Sequence, residues 1–230
     1  MPPGERDYDR SVSLPVETRH RGAYAVWAVA VMIYLLAVFH RSSLAVAGLA
    51  AAERFDISAA QLATFTMLQL LVYAAMQIPV GLLVDRFGPR RVLLTGAITL
   101  TVAQIGFAFA DTYLLALVAR FFVGMGDAMT FICVLRLVNT WFAPRRIPLI
   151  TQLTGMIGQL GGALAAVPMT IALGHLGWTR SYLIAASVGI VLSAALVVVV
   201  RDVPGTRSIR GPAMSVGHIR TTLAASWRQP

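Results

Sequence analysis

Long apolar runs alternate along the chain with short polar breaks. Crossing a hydrocarbon core of roughly 30 Å takes about 20 apolar residues in helical form, so the runs predict six spanning helices, at about 24–50, 59–84, 92–110, 113–141, 149–173 and 180–200. The breaks carry their own chemistry. Glu53-Arg54-Phe55-Asp56 parts the first two helices, and Ser58 is placed to cap the second. Asp111-Thr112 parts the third from the fourth, Ala143-Pro144-Arg145-Arg146 the fourth from the fifth, and Gly174 to Trp178 the fifth from the sixth. Between the second and third lies a charged, glycine-bearing turn, Gly81-Leu82-Leu83-Val84-Asp85-Arg86-Phe87-Gly88-Pro89-Arg90-Arg91.

Composition changes the reading of solvent. Hydrophobic residues make up 57% of the chain and the mean hydropathy is +0.74, more apolar surface than a water-soluble domain of this length requires, so the solvent is lipid. Cys133 is the one cysteine and lies inside an apolar run, where it reads as a small packing residue. The net charge of +9 comes entirely from arginine, since there is no lysine. These arginines are scattered between apolar runs and form no basic domain, which argues against nucleic acid as a partner.

Their distribution reads as topology. Arg6, Arg10, Arg19, Arg21, Arg86, Arg90, Arg91, Arg145, Arg146, Arg201, Arg207, Arg210, Arg220 and Arg228 fall on one side of the expected membrane, and Arg54 and Arg180 on the other. The positive-inside rule then puts both termini in the cytoplasm, as an even number of spans requires. The expected organisation is a cytoplasmic tail over residues 1–22, a six-helix bundle over 23–200, and a cytoplasmic linker over 201–230. The expected location is the cytoplasmic membrane, multi-pass.

Three arginines, Arg41, Arg120 and Arg136, fall inside the apolar runs, and Asp127 lies in the same run as Arg120. A charge at membrane depth costs at least about 2.5–3.5 kcal/mol and normally faces a cavity or a partner. Arg136, near the end of its run, reads as a snorkelling side chain. Arg41 and Arg120 read as cavity-lining residues, with an internal salt bridge as the alternative. Arg120 and Asp127 are seven positions apart and share a helix face, as Tyr34 and Arg41 do. Thr66, Gln69, Tyr73 and Gln77 form a polar stripe on the second helix, facing either a shared interior or a hydrogen-bonded neighbour. Thr151, Gly155, Gly158, Gly161 and Gly162 make a small-residue seam on the fifth helix, suited to close helix packing.

The Gly81–Arg91 turn resembles the loop signature between the second and third helices of the major facilitator superfamily. Two further segments are similar to that superfamily's anion:cation symporter branch. Phe39-His40-Arg41-Ser42-Ser43-Leu44-Ala45-Val46-Ala47 resembles its first-helix Asp-Arg-x-x-Leu-x-x-Ala segment, and Arg120-Phe121-Phe122-Val123-Gly124-Met125-Gly126-Asp127-Ala128 its fourth-helix R-x-x-x-G-x-G-E-A. The chain departs from that pattern at His40, where the branch has aspartate, and at Asp127, where it has glutamate. The resemblance implies an all-α membrane protein with the N-terminal six-helix half of the superfamily fold.

It also implies secondary transport of a small anionic solute by alternating access, coupled to protons. Arg41 would hold the anion, with Tyr34, Gln69 and Tyr73 lining the site. Asp127 would carry the coupling proton beside Arg120, with His40 as a second titratable group. Gly81, Asp85, Arg86, Gly88, Arg90 and Arg91 would form the gating loop. Asp85 lies at a helix C-terminus and needs a cation, for which Arg86, Arg90 and Arg91 are the near candidates, or a helix of the other half. No cofactor and no metal site is expected. His20, His40, His175 and His218 are far apart, and no phosphate loop or nucleophile–base pair is present, which argues against an enzyme. Rival readings are a truncated, non-transporting remnant, a half-transporter working beside a partner or a second copy, and a drug exporter. The last lacks the Gly-Pro pair expected in the fifth helix.

Overall fold

The computed structural model describes residues 20–202. Apart from residues 20–22 and 201–202, the expected tails 1–22 and 201–230 lie outside the described residues, and with them Arg6, Arg10, Arg19, Arg207, Arg210, Arg220 and Arg228. Every described element is helical: α1 (His20–Val46), α2 (Gly48–Phe55), α3 (Ala59–Ala75), α4 (Gln77–Phe87), α5 (Pro89–Phe109), α6 (Tyr113–Trp141) and α7 (Ile147–Val199). Four stretches, Gly22–Val46, Pro89–Phe109, Tyr113–Trp141 and Ile147–Val199, are each long and apolar enough to cross a membrane.

Local chemistry sets the breaks. The first expected helix runs on past residue 50 and is interrupted at Ala47, where ψ is 7° while the hydrogen bonds from Ala47 to Ser43 and from Ala51 to Ala47 continue the ladder. Asp56, in the left-handed conformation at φ 49°, closes α2, and the axis turns by 115° into α3. Ser58 caps α3 through a reciprocal box. Its Oγ accepts from the Gln61 N–H at 3.3 Å, and the Gln61 Oε1 accepts from the Ser58 N–H at 3.0 Å.

The second expected helix is divided at Met76 into α3 and α4. Pro79 explains this: it has no N–H to donate to the Ala75 carbonyl and its ring crowds that group. Thr112 caps α6 by accepting from the Leu115 N–H at 3.4 Å. As a straight rod, the 53 residues of α7 would run about 80 Å, far beyond one bilayer. Gly177, at φ 73° and ψ −178°, breaks it into two arms. A side chain would be strained at that φ.

The core is built round α6, which packs against α5, α3 and α1, while α7 packs against α1 and α5. Ala128, Cys133, Val134 and Val138 of α6 are fully buried, in line with the packing role expected for Cys133. The first arm of α7 lies against α1, where a Cβ on Gly161 would come within 2.2 Å of the Leu35 carbonyl oxygen. Gly158 and Gly162 also face α1, but Gly155 opens onto empty space, so only part of the small-residue seam packs. Outward-facing Leu71, Ile78, Val102, Phe109, Ile190 and Val198 are exposed, the surface expected of a bundle solvated by lipid.

The two ends of the bundle differ. At one end Phe55, Phe107, Trp178 and Tyr182 stack on one another, and Arg54 reaches Asp111 at 3.0 Å and the Ala110 carbonyl at 3.0 Å. The other end gathers Asp85, Arg136, Arg90 and Asp202.

Candidate functional site

Midway between the ends, α1, α3 and α6 bring three expected site residues together. The Arg41 Nη1 lies 3.2 Å from the Asp127 Oδ2, and the Arg41 guanidinium carbon lies 5.4 Å from the Tyr73 ring centroid. The Asp127 side chain is fully buried, whereas Arg41 keeps 25% of its side chain accessible. Neither carboxylate oxygen of Asp127 has a hydrogen-bond partner among the described residues, so Arg41 is its one charged neighbour there. Tyr34 lies two turns before Arg41, buried against the Phe131 ring at a centroid distance of 5.0 Å.

Glycines on α6 make this approach possible. A Cβ on Gly124 would sit 2.6 Å from the Gln69 carbonyl oxygen on α3, and one on Gly126 would sit 2.8 Å from the Gly96 carbonyl oxygen on α5. The G-x-G spacing thus lets α6 close on two neighbours at once and draws Asp127 into the centre.

Arg120 is treated differently, and here the structure corrects an expectation. Asp127 pairs with Arg41, and Arg120 has no carboxylate within salt-bridge distance among the described residues. The spacing explains why. Seven positions on a helix share a face but lie about 10.5 Å apart along the axis, beyond ion-pair reach. Fully buried, Arg120 donates from Nη1 to the His40 carbonyl oxygen at 3.1 Å and to the Gln69 Oε1 at 3.4 Å. Its guanidinium carbon lies 4.0 Å from the Phe107 ring centroid. Gln69 is therefore buried against Arg120. Of the rest of the polar stripe, Gln77 bonds back to the Tyr73 carbonyl at 2.9 Å and Thr66 faces outward. His40 is fully buried too, and neither ring nitrogen has a partner among the described residues.

At the charged end, Asp85 pairs with Arg136 of α6, so Arg136 is an ion-pair partner, not a freely snorkelling cation. Arg90 turns inward, donating from Nη2 to the Val197 carbonyl oxygen at 2.7 Å. Arg86 lies over the Phe87 ring at 5.2 Å, and Arg91 is exposed. Gly88, at φ 83°, turns the chain into α5, and a Cβ on Gly81 would meet open space. Sequence reasoning missed Asp202. Its Oδ1 accepts from the Arg90 backbone N–H at 2.7 Å and caps α5 from across the bundle. The available signal was an acid two residues past an apolar run, on the side of an arginine-rich loop. Phe107 was missed as well, because an apolar ring inside an apolar run gives no sign that it faces a cation.

A helical bundle with several helices long and apolar enough to span a bilayer, a buried ion pair at its centre and a charged turn at one end is that of a multi-pass membrane protein. The Major Facilitator Superfamily model matches residues 30–229, and the chain belongs to that superfamily. It is similar to a probable sulfoacetate transporter, SauU, of Cupriavidus necator, at 26% identity over 175 residues, 76% of this chain and 40% of that protein. It is also similar to a probable L-galactonate transporter of Escherichia coli K12, at 26% identity over 153 residues, 66% of this chain and 34% of that protein. In fold it resembles a bacterial homolog of the human lysosomal transporter Spinster, solved inward-facing and unoccupied. There the TM-score is 0.69 at 18% identity, covering 84% of this chain and 46% of that one. The chain thus spans less than half the length of these relatives. Superfamily membership points to transport and away from enzyme catalysis.

Proposed function

We propose that this bundle forms one wall of a secondary transporter for a small organic anion, coupled to protons and working by alternating access in the cytoplasmic membrane. The observation that carries this reading is the Arg41–Asp127 pair: a partly accessible guanidinium on a fully buried carboxylate, beside a tyrosine ring. An arriving carboxylate or sulfonate competes for Arg41 through charge-assisted, bidentate hydrogen bonds. Asp127, losing its one cationic neighbour in an apolar surround, then takes up a proton instead of remaining a bare buried charge. Anion and proton are thereby bound together. The names of the two relatives, one for sulfoacetate and one for L-galactonate, support an organic anion as solute.

In this reading there are six spans: α1 with α2, α3 with α4, α5, α6 and the two arms of α7. The Asp85–Arg136 end faces the cytoplasm, as the arginine count favours. The facing wall is a second six-helix half or a second copy of this bundle, related by an axis along the membrane normal. Tyr34 and Tyr73 shape the site around Arg41. Arg120, Gln69 and His40 hold α1, α3 and α6 in register beside it.

The test is binding followed by accumulation. Tryptophan fluorescence of the purified chain, titrated with sulfoacetate, galactonate and glucarate, is expected to report a saturable anion, and Arg41→Gln to abolish the response. Proteoliposomes under an inward proton gradient are expected to accumulate that anion, and Asp127→Asn to stop proton-driven accumulation while leaving exchange. Equal accumulation by wild type, Arg41→Gln and Asp127→Asn would sink the assignment.

A further inference from the structure

At the charged end of the bundle, α4, α5 and α6 leave an open cleft of about 310 Å³, lined by Leu83, Phe87, Arg91, Val92, Thr95 and Met129. Five of these six residues present apolar surface (Thr95 through its methyl), and the sixth is a cation at the rim. A second cation belongs to the same feature, because the Arg86 guanidinium lies 5.2 Å from the centroid of the Phe87 ring that walls the cleft. The neighbouring arginines are already engaged within the bundle: Arg90 on the Val197 carbonyl and Arg136 on Asp85. Among the described residues, Arg86 and Arg91 have no acidic partner. A greasy slot under two uncommitted guanidinium groups, on the side of a bundle bathed in lipid, is complementary to one kind of molecule.

We propose that this cleft is a binding site for an anionic phospholipid. The phosphate sits between Arg86 and Arg91, and one acyl chain lies in the slot between Phe87 and Met129. Basic pockets between transmembrane helices take anionic headgroups in this way, and each arginine near the surface contributes about 1 kcal/mol, or roughly a fivefold preference. The leaflet occupied is the cytoplasmic one, which rests on the orientation proposed above; the site itself does not. A bound lipid here bridges α4 to α5 across the Gly88 turn and steadies the last turn of α4, which carries Asp85.

The experiment is native mass spectrometry of the purified 230-residue chain, titrated in detergent with phosphatidylglycerol or phosphatidylcholine. Retention of phosphatidylglycerol at several-fold lower lipid concentration is the expected result. Arg91→Gln should cut that preference about fivefold, and Arg86→Gln with Arg91→Gln should bring the two lipids level. Thr95→Trp, which fills the slot and leaves both charges, should weaken both lipids together. Arg145→Gln removes the same charge from a different loop and should change little. The proposal is overturned if the double variant keeps the wild-type preference, or if Arg145→Gln loses as much as Arg91→Gln. Photocrosslinking from position 95 in membranes should tag lipid; tagging of polypeptide in place of lipid would also overturn it. None of these readouts depends on transport, so they stand or fall apart from the anion assignment.

Discussion

Two arginines enter the middle of this bundle and meet opposite surroundings. Around Arg120 the partners are a main-chain carbonyl, a glutamine amide and the face of a phenylalanine, none of which titrates, and no part of the side chain reaches solvent. Arg41 faces a carboxylate and a tyrosine ring and keeps a quarter of its side chain accessible. The difference teaches that charge at depth is not one signal. A guanidinium held by fixed dipoles joins helices, because neither of its hydrogen-bond partners carries a charge to gain or lose. One held by a single buried acid and partly open to solvent has a partner whose charge is not fixed, which is what the proposed exchange uses.

The comparison is broken or sharpened most strongly by removing Arg120. Arg120→Ala leaves a cavity and strands the Gln69 Oε1, while the His40 carbonyl keeps the Ser43 hydroxyl, so a loss of about 3 kcal/mol is expected in a denaturant titration of the detergent-solubilised protein. Arg120→Met should recover part of it by refilling the volume. A wild-type titration for Arg120→Ala would end its role as a fastener. The next effect in size is a coupling. Arg41→Ala leaves a buried acid without its cation, and adding Asp127→Asn should restore stability, with an interaction of about 1–3 kcal/mol in a double-mutant cycle. Strict additivity would mean that the two charges do not sense each other. Smallest is Asp85→Asn. Both members of the Asp85–Arg136 pair are half-exposed, so its loss should cost only about 0.2–1 kcal/mol and fade in high salt. A larger loss, indifferent to salt, would make that end as rigid as the Arg120 cluster.

What could be read from sequence follows from what is local. The Ser58 cap was legible because Ser58 and Gln61 interact within one turn, and the breaks at Asp111-Thr112 and Gly177 because the chain itself supplies the chemistry. The face shared by Arg120 and Asp127 was legible from helical period. Which helix opposes each level of that face was not, and so Asp127 was matched with the wrong arginine. The same limit hid the pairing of Asp85 with Arg136, which brings together residues 51 positions apart. The division at Met76 was open to reading from Pro79, since a proline disturbs the turn before it. A bend inside an unbroken apolar run is simply quieter than a charged loop.

Asp202 has a mechanical consequence. Its carboxylate holds the α5 amide end beside Gly88, so the segment leaving α7 and the entry of α5 share one anchor point. The last described residue thus ties the end of the bundle's longest helix to the turn before α5, at a place remote from Arg41 and Asp127.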